Sequence, residues 1–258
     1  MRNHVHLKLS IVSALVLACA LTNVAWAAAT INVGGTTNLT PLVAKAAASY
    51  QDAHPGTAVS VKGSSSGAGI AALKDHQIDV AMSDVAVHDA DFVDSVLGVV
   101  GFAFVVNPDT GIKNLTRGEL QDLYSGKITN WREIGGNDLK VVLIGREIGT
   151  GTRFVFEDKV AKTETTIQVE PTAVAVADTV AKTSGSVGYI ASGFIGKHQD
   201  LVVTYEGIEP TPENIRNHTY SFSTDEHLYT RRDASADVTA FVEYVKNDKD
   251  LLIANGVF

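Results

Sequence analysis

The sequence predicts an α/β protein built on largely parallel sheets. Short β-rich runs alternate with helical patterns from residue 30 to residue 246. A hydrophobic fraction of 45% against 19% charged residues is that of a chain with a buried core, which excludes a disordered or fibrous protein. A length of 258 residues suffices for one large domain or two lobes.

In chain order, residues 30–33 read as a strand. Residues 41–54 read as a helix, with Pro41 in the first turn, where a missing N–H breaks no bond, and with Leu42, Ala46, Tyr50 and Ala53 as its buried stripe. A strand at 57–62, a helix at 68–76 and a strand at 79–82 follow, then a long apolar strand region at 96–106. Thr116 caps a helix running to Tyr124, and Glu119 three residues on completes a capping box. Residues 140–144 are a strand, and a helix opens at Gly151 and runs to Asp158. Residues 173–183 are helical, 187–190 and 201–205 are strands, and 236–246 form a closing helix. Trp131 and the other aromatic residues read as core. The scattered histidines show no metal-ligand spacing and read as solvated or capping residues.

The first 27 residues stand apart. Arg2 and Lys8 precede an apolar run at 9–24, and Ala25-Trp26-Ala27 ends it with small residues at the cleavage positions. This is the pattern of a secretory signal peptide cut before Ala28. The strongly apolar stretch, about 15 residues, falls short of the ~20 that span a bilayer. A rival reading takes Val16-Leu17-Ala18-Cys19 as a lipobox, with the chain tethered through an acylated Cys19. Cleavage before Ala28 removes two cations and no acid, which takes the formal charge of −8 to −10. It also removes the single cysteine, so no disulfide and no thiolate metal site is expected in the exported protein. The acidic balance speaks against nucleic acid and anionic membrane surfaces as partners.

Three polar loops share one design, each lying after a predicted strand and before a predicted helix. They are Gly34-Gly35-Thr36-Thr37-Asn38, Ser64-Ser65-Ser66-Gly67, and the segment from Arg146 to Arg153. A helix N-terminus offers unpaired N–H groups and the positive end of the dipole, and so favours anions. One such loop is what an ordinary N-cap looks like; three, one of them with an arginine, point to an anion site. The second loop also fits G-x-S-x-G, which would make Ser65 a hydrolase nucleophile, although no oxyanion motif precedes it and no histidine signature follows. Gly67-Ala68-Gly69-Ile70-Ala71-Ala72 fits G-x-G-x-x-A, but in the second βα turn and without an acid ending a third strand. Lys127 follows Gly126 without the glycine spacing of a P-loop.

Over essentially the whole exported chain, the sequence resembles the periplasmic phosphate-binding proteins of phosphate ABC transporters, within the type II periplasmic binding protein fold. The resemblance rests on Gly35 to Pro41, Ser64 to Ile70, Asp79 to Asp84, and Leu115 to Leu120 running into Tyr124 to Trp131. It continues through Arg146 to Arg153, Gly188-Tyr189-Ile190 and Pro210 to Asn214. The Gly-Lys-Ile-Thr-Asn-Trp and Arg-Glu-x-Gly-Thr-Gly-Thr-Arg runs are its specific parts. It implies two lobes, each a mostly parallel sheet flanked by helices, closing on one inorganic phosphate in the cleft between them. Residues 28–106 and 219–258 would form one lobe and 107–218 the other, with hinges at 104–107 and 220–223. By motif position Thr37, Asn38, Ser66, Thr150, Gly151 and Thr152 would bind phosphate with neutral donors, Arg146 would be the cationic contact, and Asp84 would face the ligand. Hydrogen phosphate has an O–H to give Asp84 and sulfate has none, so Asp84 would reject sulfate. Some family members place an aspartate two residues after the arginine; here Ile148 stands there, which leaves open whether Glu147 or something else orients Arg146. The resemblance further implies a monomer in the periplasm that delivers phosphate to a membrane permease, with no catalysis, cofactor or metal. A molybdate or sulfate binder and a phosphate sensor are the neighbouring alternatives.

Overall fold

The computed structural model describes residues 29–258; the segment read as a signal peptide, with Cys19, lies outside them. The first half contains β1 (Ala29–Thr36), α1 (Thr40–Ala53), β2 (Thr57–Ser64), α2 (Ser66–Lys74), β3 (Val80–Ser83) and the long β4 (Phe92–Val106). There follow β5 (Asn114–Leu115), α3 (Arg117–Tyr124), β6 (Val142–Gly145), α4 (Gly151–Lys159), β7 (Gln168–Val169) and α5 (Ala173–Lys182). The chain closes with β8 (Ser186–Ala191), β9 (Val202–Tyr205), α6 (Pro212–Arg216), β10 (Ser223–Arg231), α7 (Ala236–Asn247) and α8 (Lys249–Ala254).

The strand order is β2-β1-β3-β10-β4-β8-β6-β7. Within one half β1 runs parallel to β2 and β3, and within the other β6 runs parallel to β7 and β8. Between them stand β10 and β4, antiparallel to each other and to their outer neighbours. This is the two-lobed α/β architecture the sequence predicts, with antiparallel strands confined to the crossing between lobes. Each half has its own apolar core. One gathers Phe104, Tyr124, Trp131, Phe156, Tyr189 and Phe222; the other Ile31, Leu42, Tyr50, Leu228 and Phe241. Trp131 is fully buried, and its indole N–H donates to the Gly185 carbonyl at 2.7 Å.

Strand β4 changes partner within its length. Its residues up to Gly101 pair with β10, and Phe102 to Val106 pair with β8. Tyr220 Oη donates to the Phe102 carbonyl at 2.7 Å, and the Phe102 N–H donates to the Phe222 carbonyl at 2.8 Å, so both crossings are tied at one place. The change of partner falls between Gly101 and Phe102, and residues on either side of it are equally apolar, so no composition step marks it.

The capping box at Thr116 and Glu119 forms as expected. On α1, Leu42, Ala46 and Tyr50 are buried together with Val43 and Ala47, but Ala53 is exposed, because the helix ends there and His54 folds back to stack on Tyr50 with ring centroids 4.0 Å apart. Two histidines depart from the solvated reading. His198 Nε2 and His227 Nδ1 are each buried and 2.9 Å from a carboxylate oxygen, of Asp178 and Asp94 respectively. Strand β10 itself has no counterpart among the predicted elements. It carries Asp225, Glu226, His227 and Arg231, and its apolar Leu228 and Tyr229 are adjacent rather than alternating, so it shows no strand period.

Candidate anion-binding site

The parallel strands of both halves end at the cleft, where open α/β sheets bind ligands. The β1–α1 turn brings Thr36, Thr37 and Asn38; the start of α2 brings Ser66; the end of β3 brings Asp84. From the other half, the β6–α4 turn brings Arg146 through Thr152. Gly69 lets α2 approach β1 closely, since a Cβ there would stand 2.7 Å from the Gly35 Cα.

Asp84 is the centre of the first wall and is fully buried. Its Oδ2 accepts from the Thr36 hydroxyl at 2.8 Å and from Asn38 Nδ2 at 3.2 Å. Its backbone N–H donates to Ser66 Oγ at 3.1 Å, which leaves the Ser66 O–H free to donate elsewhere. No helix follows Asp84, so it caps none. Burial pushes its carboxyl above the usual range, opposed by hydrogen bonds from Glu226, Thr36 and Asn38 and by the charge of Arg146.

Arg146 is the centre of the second wall and is 3% exposed. Its Nε donates to the Glu170 carbonyl at 3.1 Å and its Nη2 to the Pro171 carbonyl at 3.0 Å. Its Nη1 donates to no acceptor among the described residues, so part of a buried guanidinium is open to an anion. Glu147 is exposed and Ile148 is 88% exposed, and neither hydrogen-bonds the arginine. Two backbone carbonyls hold Arg146, where the sequence left open whether Glu147 or something else does so. Arg153, buried in the first turn of α4, donates to the Arg146 carbonyl at 3.1 Å and to Glu157 at 2.6 Å, which braces the turn from below.

The walls touch at two points. Thr152 Oγ1 donates to Asn38 Oδ1 at 3.1 Å. Gly151 presses its backbone on Asp84, so that an added Cβ would lie 1.4 Å from Asp84 Oδ2. On one side of this contact a cavity of about 320 Å³ is lined by Thr37, Asn38 and Arg146; on the other, one of about 420 Å³ is lined by Ser66 and Gly151. Thr150 is half-buried, its hydroxyl bonded to the Glu147 carbonyl at 2.9 Å, and it precedes the free N–H groups of α4. The eight residues singled out from the sequence therefore lie around this contact, Thr37, Asn38 and Arg146 on one cavity and Ser66 and Gly151 on the other. Sequence reasoning missed Thr36, Arg153 and Glu226. Thr36 and Arg153 sit inside the loops already singled out, but Glu226 lies on the unpredicted β10.

Ser65 is the N-cap of α2, its Oγ accepting from the Ala68 N–H at 3.1 Å, and it hydrogen-bonds no histidine among the described residues. No cluster of three His, Cys, Asp or Glu side chains suited to a metal ion occurs among the described residues. No described helix is long and apolar enough to cross a membrane.

A family model described as a PBP superfamily domain matches residues 22–249. The phosphate-binding protein PstS of Bacillus subtilis (strain 168) is 28% identical over 230 residues, which are 86% of this chain and 77% of that protein. The crystal structure of an ABC-type phosphate transport receptor from Vibrio cholerae superposes with a TM-score of 0.78 at 30% identity, covering 88% of this chain and 99% of that one. A putative phosphate ABC transporter substrate-binding protein from Clostridium perfringens, solved with bound phosphate, shares the fold with a TM-score of 0.79 at 24% identity over 89% of this chain and 98% of that one. The chain belongs to the PBP superfamily and, within it, to the family of the Vibrio cholerae phosphate transport receptor.

Proposed function

We propose that this protein captures inorganic phosphate between its two lobes and delivers it to the permease of an ABC transporter. The observation that carries the reading is the pairing of a buried carboxylate acceptor, Asp84, with a buried guanidinium whose Nη1 is open, Arg146, on facing walls of one cleft. An anion without a proton would meet Asp84 acceptor to acceptor; hydrogen phosphate gives it a hydrogen bond. Thr37, Asn38 and Ser66 supply neutral donors from the first wall. Thr150, Gly151 and Thr152 supply hydroxyls and α4 N–H groups from the second. The lobes divide where β4 changes partner, between Gly101 and Phe102, and where the returning chain enters β10 at Ser223, and those crossings serve as the hinges. The protein is exported by residues 1–27, works in the periplasm as a monomer and performs no catalysis.

Calorimetric titration of the protein from Ala28 onward with phosphate, arsenate, sulfate and molybdate tests the reading. Phosphate and arsenate are expected to bind and the two fully deprotonated anions to bind at least ~10³-fold more weakly. Equal binding of all four, or of none, overturns it.

A further inference from the structure

Strand β10 places Glu226 beside the ligand-facing carboxylate. His227 pairs with Ser83 in the antiparallel β10–β3 ladder, so the next step along the register sets Glu226 opposite Asp84. Thr224 Oγ1 donates to the Asp84 carbonyl at 3.2 Å and ties the strands at the same place. In the ladder with β4 the register skips Leu97, with Glu226 opposite Gly98 and His227 opposite Val96, and Glu226 is 1% exposed. The two carboxyl groups are close enough to act directly on each other. One oxygen of each, Asp84 Oδ1 and Glu226 Oε2, is completely buried and receives a hydrogen bond from no N–H or O–H donor among the described residues.

Two ionised carboxylates cannot share a dry site; one proton between them turns the repulsion into a strong hydrogen bond. The proton belongs on Glu226. Asp84 already accepts from Thr36 and Asn38 and lies within the field of Arg146, all of which favour its charged form, whereas Glu226 has no such donors. We infer that Glu226 remains protonated at neutral pH and donates to Asp84 Oδ1, and that this bond positions Asp84 as an ionised acceptor which selects a protonated oxyanion. Burial and the neighbouring charge of Asp84 both push the Glu226 carboxyl well above its usual range, in the same direction. The ionisable groups that face it are Asp84 from β3, Asp225 on β10 and, through Asp84, Arg146 from β6; β4 sets Gly98 opposite, and His227 turns to Asp94. With one proton on the pair, the wall carries a single negative charge against the single positive charge of Arg146. A second ionisation would set two negative charges against an incoming anion, so binding weakens as pH rises through that ionisation.

This positioning role rests on the phosphate reading, and its test separates the two. Infrared difference spectra of the anion-free protein, wild type minus Glu226→Gln at pH 7, are expected to show the C=O stretch of a protonated carboxyl. Its absence overturns the inference whatever the protein binds. Calorimetry with phosphate and sulfate then reads the selectivity. Glu226→Gln keeps a neutral donor through Nε2 and is expected to hold phosphate within about threefold of wild type, with sulfate still rejected. Glu226→Leu leaves Oδ1 without a donor, drives Asp84 itself to take up the proton, and is expected to shrink the phosphate-to-sulfate ratio by at least ~10-fold. A wild-type ratio in folded Glu226→Leu, or a tenfold or greater loss of phosphate in Glu226→Gln, overturns the role. Thermal unfolding of both variants checks the fold; should Glu226→Leu not fold, Glu226→Gln and the infrared band still decide.

Discussion

The two walls of the cleft are built in opposite ways. The Asp84 wall is assembled from four places far apart in the chain, at Thr36, Ser66, Asp84 and Glu226, joined by side-chain hydrogen bonds. The Arg146 wall is one continuous turn, residues 146–152, whose arginine is held by two backbone carbonyls and braced by Arg153. On the phosphate reading proposed above, the first wall would decide by protons, since its acceptor would admit only an anion with an O–H. The second would offer charge and N–H groups to any anion. That reading assigns selectivity to the dispersed wall and most of the attraction to the contiguous one.

The sharpest way to break this division of labour is to keep the walls apart. Gly151→Ala places a methyl where Asp84 Oδ2 stands, and the closed arrangement cannot accommodate it without opening by an ångström or more. Phosphate affinity is expected to fall at least ~100-fold, because misplacement on that scale forfeits most of the contacts made only on closure. Apo stability is expected to change by less than about 1 kcal/mol, since alanine in a first helical turn is favourable. Calorimetry beside thermal unfolding separates the two effects. Full affinity would mean that Gly151 and Asp84 need not meet.

Asp84→Asn addresses the dispersed wall alone. The amide can donate as well as accept, so sulfate no longer faces only an acceptor. Phosphate is expected to weaken by no more than ~10-fold while sulfate gains ~100-fold, both read by titration at one pH. An unchanged ratio would move the selectivity to the Arg146 wall and reverse the comparison.

The same contrast explains what could be read from the sequence. The segment from Arg146 to Arg153 is eight consecutive residues with an arginine at each end and glycines and hydroxyls between, and a continuous motif of that kind is visible without a structure. Most of the parallel strands are short apolar runs, visible for the same reason, whereas the two-residue β5 and β7 are too short to show a pattern. Strand β10 hides because its partners supply what its pattern lacks. Glu226 and His227 are buried against carboxylates from β3 and β4, so polar residues stand where a strand buried between neighbours should be apolar. A buried pair that is satisfied only across 142 residues of chain has no signature in either segment. The helix-capping residues, by contrast, act within four residues of themselves, and Thr116 with Glu119 was legible in full.

The smallest expected effect tests whether the Arg146 wall needs a carboxylate of its own, as the usual aspartate two residues after the arginine suggests. Ile148 is 88% exposed, and the guanidinium it would have to reach is already bonded to Glu170 and Pro171 through Nε and Nη2. An aspartate in its place would pair across solvent, where such bridges contribute roughly 0–1 kcal/mol. If it did turn inward, it would compete with phosphate for Nη1. Ile148→Asp is therefore expected to change phosphate affinity by less than about threefold, in either direction, at moderate salt. A tenfold gain would show that the two carbonyls leave Arg146 loose. A tenfold loss confined to low salt would show that the new carboxylate occupies Nη1 itself, which would locate the ligand's place on the arginine more closely than removal of the arginine could.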